Sequence, residues 1–121
     1  MNRKAAEARG RWGERRAALW LRLTGWRILD QRVKTPQGEV DLVARKGKLV
    51  AFIEVKTRAT AAQLDLAIDE YRLRRVVAAA NALAARYAGP DDAITIDVIL
   101  IAPRRWPRRI ENAWMPIGRA F

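Results

Sequence analysis

Hydrophobic and polar residues follow two different spacings along this chain. Apolar residues recur at helical spacing in two Ala/Arg-rich segments, whereas residues 39–45 alternate with period two and residues 49–55 are almost continuously apolar. The pattern predicts, in order, a helix over 3–24, strands over 26–33, 39–45 and 49–55, a helix over 61–88, a strand over 94–102 and a short edge strand over 110–117. This order, α-β-β-β-α-β-(β), indicates an α/β fold in which a mixed sheet is flanked by helices.

The connections predict how the strands pair. The turns at 34–38 and 46–48 are short, so the first three strands should form an antiparallel meander. The fourth strand follows a long helix and should therefore lie parallel to the third. Gly25 is placed to cap the first helix. Regular spacing also assigns buried faces, namely Val40, Leu42 and Ala44 in the second strand and Leu64, Ile68, Tyr71, Leu73, Val76, Ala80 and Leu83 in the second helix.

The most strand-like part of the chain carries charged residues where apolar ones are expected. Glu54 and Lys56 are two residues apart and should share one face of their strand. A hairpin centred on residues 46–48 brings Asp41 close to Glu54. Two neighbouring carboxylates repel each other, and a divalent cation relieves that repulsion. The alternative is a solvated ladder of salt bridges, which contributes little free energy.

Glu14 lies in the first helix, on the same side as the apolar residues Ala17, Ala18 and Leu21. We therefore expect its side chain to point toward the sheet. Two alternatives stay open: a boundary glutamate that reaches solvent, or an acid in the first turns that the helix dipole favours.

Charge and composition limit which partners and which metal sites this chain can have. The 121 residues include 24 basic and 13 acidic side chains, and the net charge of +11 favours a polyanionic partner, nucleic acid first. The alternative is the compositional bias of an arginine-rich, high-GC genome. The chain has no cysteine or histidine, which excludes disulfides, histidine-based triads and zinc sites of the usual kind. A metal ion would be held by oxygen ligands, which favours Mg²⁺ or Mn²⁺.

The length predicts a single domain spanning 1–121. No apolar run is long enough to cross a bilayer, and the charged N-terminus lacks the apolar core of a secretory signal. We therefore expect a cytoplasmic protein with no membrane partner.

Five tryptophans raise the question of base stacking. The apolar spacing of Trp12, Trp20 and Trp26 favours a place in the core. Trp106 lies in the basic, proline-flanked segment 103–109, where packing and stacking on an unpaired base are both open. Nucleic-acid contacts are expected from Trp106 and from six arginines, namely Arg11, Arg15, Arg58, Arg72, Arg75 and Arg105.

Asp41, twelve intervening residues and then Glu54-Val55-Lys56 resemble the D…ExK core of the PD-(D/E)xK nuclease superfamily. Within that superfamily, nearly the whole chain resembles the YraN-like family of uncharacterised bacterial proteins, which is similar to archaeal Holliday-junction resolvases. The segments that carry the resemblance are GERRAALWLRLTGWRIL (13–29), GEVDLVAR (38–45), VAFIEVKTR (50–58), AIDEYRLRRV (67–76) and IDVILI (96–101). The resemblance implies a restriction-endonuclease-like fold.

The resemblance also implies roles for individual residues. Glu14, Asp41 and Glu54 match the metal-binding acids, which would take Mg²⁺ or Mn²⁺, and Lys56 matches the catalytic lysine. Glu39 matches a family glutamate whose role the resemblance does not specify. The family's usual lysine in the second helix is replaced here by Arg72, and the usual Phe-Gly and Arg-Phe pairs by Ala62–Gln63 and Thr95-Ile96. These departures bear on substrate contacts and leave the metal ligands in place.

Three functions follow from these observations. The first is an Mg²⁺-dependent endonuclease for structured or branched nucleic acid, with DNA favoured over RNA. The second is a nucleic-acid-binding protein that keeps the nuclease fold without significant catalysis. The third is a structural partner in a protein complex, whose acids form salt bridges. Resolvase relatives act as two-fold dimers, so the resemblance also makes a homodimer an expectation for this chain.

Overall fold

The computed structural model describes residues 3–60 and 70–114 of the chain. Its elements are the helix α1 (Arg3–Leu23), the strands β1 (Arg27–Thr35), β2 (Gly38–Lys46) and β3 (Leu49–Thr57), the helix α2 (Glu70–Tyr87), and the strands β4 (Ala93–Ile101) and β5 (Arg108–Ile110). The predicted order of helices and strands is confirmed. The predicted start of the second helix, with Leu64 and Ile68, lies outside the described residues.

The strands form one sheet in the order β1-β2-β3-β4-β5. The first three are antiparallel neighbours, β4 runs parallel to β3, and β5 runs antiparallel to β4. The predicted meander and the predicted parallel crossover are therefore both confirmed. Because β3 and β4 are parallel, their carboxyl ends meet at one edge of the sheet, where Thr57 lies beside Ile101. The candidate site lies at this end.

The two helices cover opposite faces of the sheet. The α1-side cluster is built from Ala17, Ala18, Leu21, Leu42, Ala44, Ala51, Ile53 and Ile99, and the α2-side cluster from Val40, Val43, Val50, Phe52, Val76, Ala79 and Ala80. Since β3 is covered on both faces, its sequence is apolar almost throughout. No helix within residues 3–60 and 70–114 is long and apolar enough to cross a membrane.

A glycine-dependent turn ends α1. Gly25 has a φ of 97°. Its N–H donates to the carbonyl of Arg22 at 3.2 Å, and the N–H of Trp26 donates to the carbonyl of Leu21 at 2.8 Å. These two bonds form a Schellman motif, so the predicted glycine cap is confirmed. The turn brings Trp26 back onto the core and leads directly into β1.

The strand β2 departs from regular alternation at Asp41. Val40 packs in the α2-side cluster with Val43, whereas Leu42 packs in the α1-side cluster. The prediction that Val40 and Leu42 share a face is therefore wrong. At the same level of β1, Arg32 has a left-handed φ of 53°. Both strands are thus irregular here, and the Asp41 side chain turns toward β3.

Two further predictions are wrong. Tyr71 is 65% exposed, because it lies roughly 200° around α2 from the buried Leu73. The last strand covers Arg108–Ile110 instead of 110–117. Residues 111–112 form a turn in place of a strand, and residues 115–117 lie outside the described part of the chain.

A buried ion pair attaches β5 to β4. Asp97 is fully buried, and its Oδ2 accepts a hydrogen bond from Arg109 Nε at 2.7 Å. Its Oδ1 accepts from Thr95 Oγ1 at 2.6 Å and from the N–H of Asn112 at 2.9 Å. The Arg109 guanidinium also lies 4.7 Å from the ring centre of Trp26. Each carboxylate oxygen therefore has a partner, as a buried charge requires.

The tryptophans of the described residues differ in burial, and those with apolar spacing pack in or against the core. Trp26 is buried, and Trp12 and Trp20 pack partly buried against the α1-side cluster. Their predicted place in the core is confirmed. Trp106 is 85% exposed, so packing does not account for it.

Candidate functional site

The candidate site begins where β2 and β3 separate. Backbone pairing between them extends from Lys46 opposite Leu49 to Leu42 opposite Ile53. Beyond that point a side chain takes the place of the neighbouring backbone, because Asp41 Oδ2 accepts a hydrogen bond from the N–H of Val55 at 2.7 Å. Asp41 is thereby held against β3 next to Glu54, as the hairpin register predicts.

Glu54 and Lys56 lie together on the face of β3 that α2 covers. Their side chains are 3% and 4% exposed, and Lys56 Nζ lies 3.6 Å from Glu54 Oε1. The predicted shared face is confirmed. Arg72 of α2 reaches the same oxygen, with Nη2 at 3.0 Å. Despite these two cations, Glu54 Oε1 is buried and makes no well-formed hydrogen bond within the described residues. A buried oxygen in that condition is costly unless another ligand satisfies it.

Glu14 reaches this region from α1 and is held by an ion pair. Its Oε1 accepts a hydrogen bond from Arg32 Nε at 2.7 Å, and its side chain is 18% exposed. The side chain points toward the sheet, as its place on the apolar side of the helix predicts. The Glu14 carboxylate therefore already has a cationic partner, the guanidinium of Arg32.

Two glycines let the helices approach the strands closely at this end. A Cβ at Gly13 would collide with the side chain of Thr57 in β3, and a Cβ at Gly38 would collide with the backbone carbonyl of Arg75 in α2. Only glycine lacks that atom. The close approach of α1 to β3 and of α2 to β2 brings Glu14 and the first turn of α2 to the same region as Asp41.

Loss of contact with water shifts the pKa values of the half-buried Asp41 and the buried Glu54 in the same direction. Burial, and then the nearby charge of Glu54, raise the pKa of the Asp41 carboxyl to about 7, even though the hydrogen bond from Val55 opposes the shift. Burial also raises the pKa of Glu54, against the opposing effect of Arg72 and Lys56. Two adjacent carboxyl groups that resist ionisation favour binding either a proton or a cation.

Two cavities open onto these residues. The larger, of ≈ 860 Å³, is lined by Ala6, Arg9, Gly10, Glu14, Glu39, Asp41, Val55, Lys56, Thr57, Arg58, Ala59 and Arg72. The smaller, of ≈ 350 Å³, is lined by Glu39, Glu54, Tyr71, Arg72, Arg75 and Val76. Glu39 and Arg72 line both cavities, so they lie between the Asp41 side and the Glu54 side of the site.

The predicted nucleic-acid-binding arginines fall into two groups. Arg58 and Arg72 line the larger cavity and Arg75 lines the smaller one. The other predicted contacts, Arg11, Arg15, Arg105 and Trp106, are exposed and line neither cavity.

Arg9 also lines the larger cavity, although the sequence pattern does not predict it as a site residue. Arg9 lies one helical turn before Gly13, and this position becomes informative only once the structure shows that α1 meets β3 at Gly13. Glu39 lies between the two cavities, a position that the alternation of β2 alone does not indicate.

The donor set suits a divalent cation only in part. Asp41 and Glu54 are neighbouring carboxyls with raised pKa values, and one oxygen of the buried Glu54 lacks a well-formed hydrogen bond in the described part of the chain. Hard oxygen donors of this kind are those that Mg²⁺ and Mn²⁺ prefer. Within residues 3–60 and 70–114, however, no three acidic side chains are grouped closely enough to share one ion. Asp41 and Glu54 thus fit a cation, whereas Glu14 lies nearby and is occupied by Arg32.

Comparison with known proteins supports the family and the fold. A model of the uncharacterised protein family UPF0102 matches residues 13–101. A UPF0102 protein of Sphingopyxis alaskensis is 67% identical over 116 residues, which is 96% of this chain and 100% of the relative. A second, from Erythrobacter litoralis, is 66% identical over 116 residues with the same coverage.

A solved structure shares the fold at low sequence identity. It is Archaeoglobus fulgidus Hjc, described as a Holliday junction resolvase from an archaeal hyperthermophile, with a TM-score of 0.59 and 20% identity. The match covers 84% of this chain and 76% of that one. The predicted α/β fold with a mixed sheet flanked by helices is therefore confirmed. Since the family model spans most of the sequence and the relatives match it nearly end to end, this chain belongs to UPF0102, the YraN-like family that its motifs resemble.

Proposed function

We propose that this protein is an endonuclease that hydrolyses phosphodiester bonds in structured or branched DNA with the help of Mg²⁺ or Mn²⁺. The observation that carries the proposal is the half-buried Asp41 next to the buried Glu54 and Lys56. Placing two carboxylates side by side destabilises a fold unless a cation relieves their repulsion. Such an arrangement at a cavity is typical of a functional site. The fold is that of a protein described as a Holliday junction resolvase, which agrees with the proposal.

Asp41 and Glu54 are the residues that would hold the divalent cation. Glu14 accepts a hydrogen bond from Arg32 Nε and would join them as a ligand once that bond is broken. When bound, the cation supplies positive charge to the phosphodiester oxygens and favours ionisation of the attacking water.

Lys56 and the cavity arginines supply the remaining chemistry. Lys56 lines the larger cavity and is nearly fully buried, so its ammonium group acts where little water screens it. We propose that Lys56 Nζ donates a hydrogen bond to the attacking water or to a phosphate oxygen as charge develops. Arg58 and Arg72 line the same cavity and hold neighbouring phosphates, for which the guanidinium fork is well suited.

Binding without cleavage is a second candidate, and one observation favours it. Arg32 engages Glu14, and Arg72 lies against Glu54, so two of the three expected metal ligands already have a cationic partner. If these ion pairs persist on DNA, the protein is a binding module with a nuclease fold. The two candidates differ in turnover and agree on the partner.

Cleavage of labelled DNA by the purified protein tests the proposal. The panel holds single-stranded, duplex, flap and four-way-junction forms, each with Mg²⁺, Mn²⁺ or EDTA. Asp41→Ala and Lys56→Ala are compared with Asp91→Ala and Lys48→Ala, which remove the same charges at exposed positions. We expect metal-dependent cleavage that both site variants lose and both control variants keep.

Salt-sensitive binding without cleavage, equal in wild type and site variants, would establish the binding module and refute catalysis. Failure to bind any form of DNA would refute both candidates. We also propose a homodimer, because two symmetric sites suit cleavage of two strands at a junction. Sedimentation equilibrium of the free protein and of the DNA complex measures that state.

A further inference from the structure

The loop between β4 and β5 carries an aromatic ring in a position that packing does not explain. Trp106 is 85% exposed, more than the other large apolar residues exposed in the described ranges. The loop around it is basic, since Arg104, Arg105 and Arg108 are also exposed. Leaving an indole in water gives up the free energy that its burial would supply. A partner with a flat apolar face and nearby negative charge fits this combination.

The loop is fixed at both ends. It leaves β4 at Ile101 and enters β5 at Arg108, and the next residue, Arg109, is tied to the buried Asp97. Arg104 adopts a left-handed φ of 62°, which further defines the turn. Trp106 is therefore presented from an anchored loop, which lowers the entropy lost when its ring binds a partner.

The sheet places this loop at the same end as the candidate site. Leu100 of β4 lies between Lys56 of β3 and Arg108 of β5. Two strand spacings therefore separate Lys56 from Arg108, or about 10 Å. The N–H of Arg58, a residue of the larger cavity, donates to the carbonyl of Ile101 at 3.0 Å. A DNA strand leaving the cavity along this edge would meet the loop within a few nucleotides.

We infer that Trp106 stacks on an unpaired base of the DNA while Arg104, Arg105 and Arg108 bind the backbone beside it. The inference rests on the proposed function and narrows its substrate to DNA with at least one unpaired base near the cleaved bond. Arginines are sufficient to bind phosphates, whereas stacking on an unpaired base needs an exposed aromatic ring. Bases inside an intact duplex are already stacked and do not offer that face.

Equilibrium binding in EDTA tests the inference without relying on cleavage. The probes are a labelled blunt duplex and the same duplex with a single-stranded extension that carries 2-aminopurine next to the junction. The proteins are wild type, Trp106→Ala, Trp106→Phe and Arg105→Ala, all of the full chain and checked for folding by circular dichroism. Trp106 and Arg105 are both exposed, so these variants should fold.

We expect Trp106→Ala to weaken binding of the extended duplex by roughly 5- to 100-fold and of the blunt duplex by less than about 2-fold. Trp106→Phe should retain most of the affinity and the change in 2-aminopurine fluorescence. Arg105→Ala should weaken both probes alike and reduce the slope of log affinity against log salt by about one.

Three results would overturn the inference. Equal binding by wild type and Trp106→Ala, with equal fluorescence changes, refutes the stacking role and leaves the proposed function intact. A shift in oligomeric state on Trp106→Ala, with DNA binding unchanged, assigns the ring to a protein interface instead. Absence of DNA binding by wild type, both in EDTA and in Mg²⁺, refutes both the stacking role and the proposed function.

Discussion

Two aspartates of the sheet, the buried Asp97 and the half-buried Asp41, have opposite surroundings. Asp97 is fully buried, and its two oxygens accept hydrogen bonds from Arg109, Thr95 and Asn112. Asp41 accepts one from the backbone of Val55 and lies beside Glu54, whose charge helps to raise its pKa to about 7. One acid is paired with a cation, and the other is placed beside a second acid.

The difference distinguishes a buried charge that stabilises the fold from neighbouring acids that are placed to bind a ligand. A buried carboxylate with its partners in place holds two elements together, as Asp97 holds β5 to β4. Buried carboxyls that repel each other reduce the free energy of unfolding and persist where a ligand relieves the repulsion. The same substitution, Asp to Asn, should therefore have opposite consequences at the two positions.

The largest effect is expected from Asp41→Asn. The amide keeps an oxygen for the N–H of Val55 but removes the charge that would hold the cation. We expect cleavage to fall by at least ~1,000-fold, because a metal-dependent step loses one of its two proposed carboxylate ligands. The free energy of unfolding in EDTA should stay the same or rise. Single-turnover cleavage and urea unfolding measure the two quantities, and an active Asp41→Asn protein would exclude this residue from the site.

Asp97→Asn should show the reverse pattern. Removing the charge leaves the Arg109 guanidinium, whose side chain is 16% exposed, without its buried partner. We expect unfolding to cost about 3 kcal/mol less, as for other broken buried pairs. At saturating DNA the folded fraction should still cleave at the wild-type rate. Urea unfolding at neutral pH measures the loss, and Asp91→Asn at an exposed position is the control; a loss under ~0.5 kcal/mol would contradict the structural role.

The pH dependence of stability should also reveal the raised pKa of Asp41. The pKa of Asp41 is raised from 3.8 to about 7 in the folded state, so the folded protein binds more protons than the unfolded chain across that range. In EDTA the free energy of unfolding should therefore fall as pH rises from about 4 to about 7, by on the order of 2 kcal/mol.

Asp41→Asn should flatten this slope, and Mg²⁺ should restore stability near pH 7 and above. Urea unfolding at several pH values, with EDTA or Mg²⁺, measures both effects. If the free energy of unfolding changes with pH by the same amount in wild type and in Asp41→Asn, the raised pKa of Asp41 is contradicted.

The smallest effect is expected from Arg72, which lies between the two cavities. Its side chain is 49% exposed, so its ion pair with Glu54 is partly screened by water. We expect Arg72→Ala to weaken DNA binding by roughly 5-fold and Arg72→Lys to restore most of it. Binding at several salt concentrations gives the comparison, with exposed Arg86→Ala as the control. Equal binding by Arg72→Ala and wild type would remove Arg72 from the DNA contacts.

Much of the site follows from short-range rules. Helical and period-two spacing identify both helices and the first four strands, and the short turn at 46–48 fixes which residues of β2 face β3. That register brings Asp41 to Glu54, and period two places Glu54 and Lys56 on one face. These relations depend only on neighbours in the chain, so pattern alone predicts them.

Other features depend on contacts between distant segments. Regular spacing does not predict that Val40 and Leu42 lie on different faces, because it assumes an uninterrupted strand. It also does not predict that Tyr71 is exposed, because the buried face of the helix has to be assigned first. The pairing of Arg109 with Asp97 and of Glu14 with Arg32 joins residues far apart in sequence. No periodicity identifies such partners.

The sequence by itself determined the order of elements, the acidic and basic inventory and the pairing of Asp41 with Glu54, because each follows from local spacing or composition. Only the tertiary structure decided that Asp97 pairs with Arg109 whereas Asp41 lies beside a second acid, that Arg72 lies between two cavities, and that Trp106 projects from an anchored loop at the end of the sheet that holds the site. The physical reason is that burial and ionisation depend on everything within a few ångströms in space, and the packing of α1 and α2 on the sheet sets those neighbours.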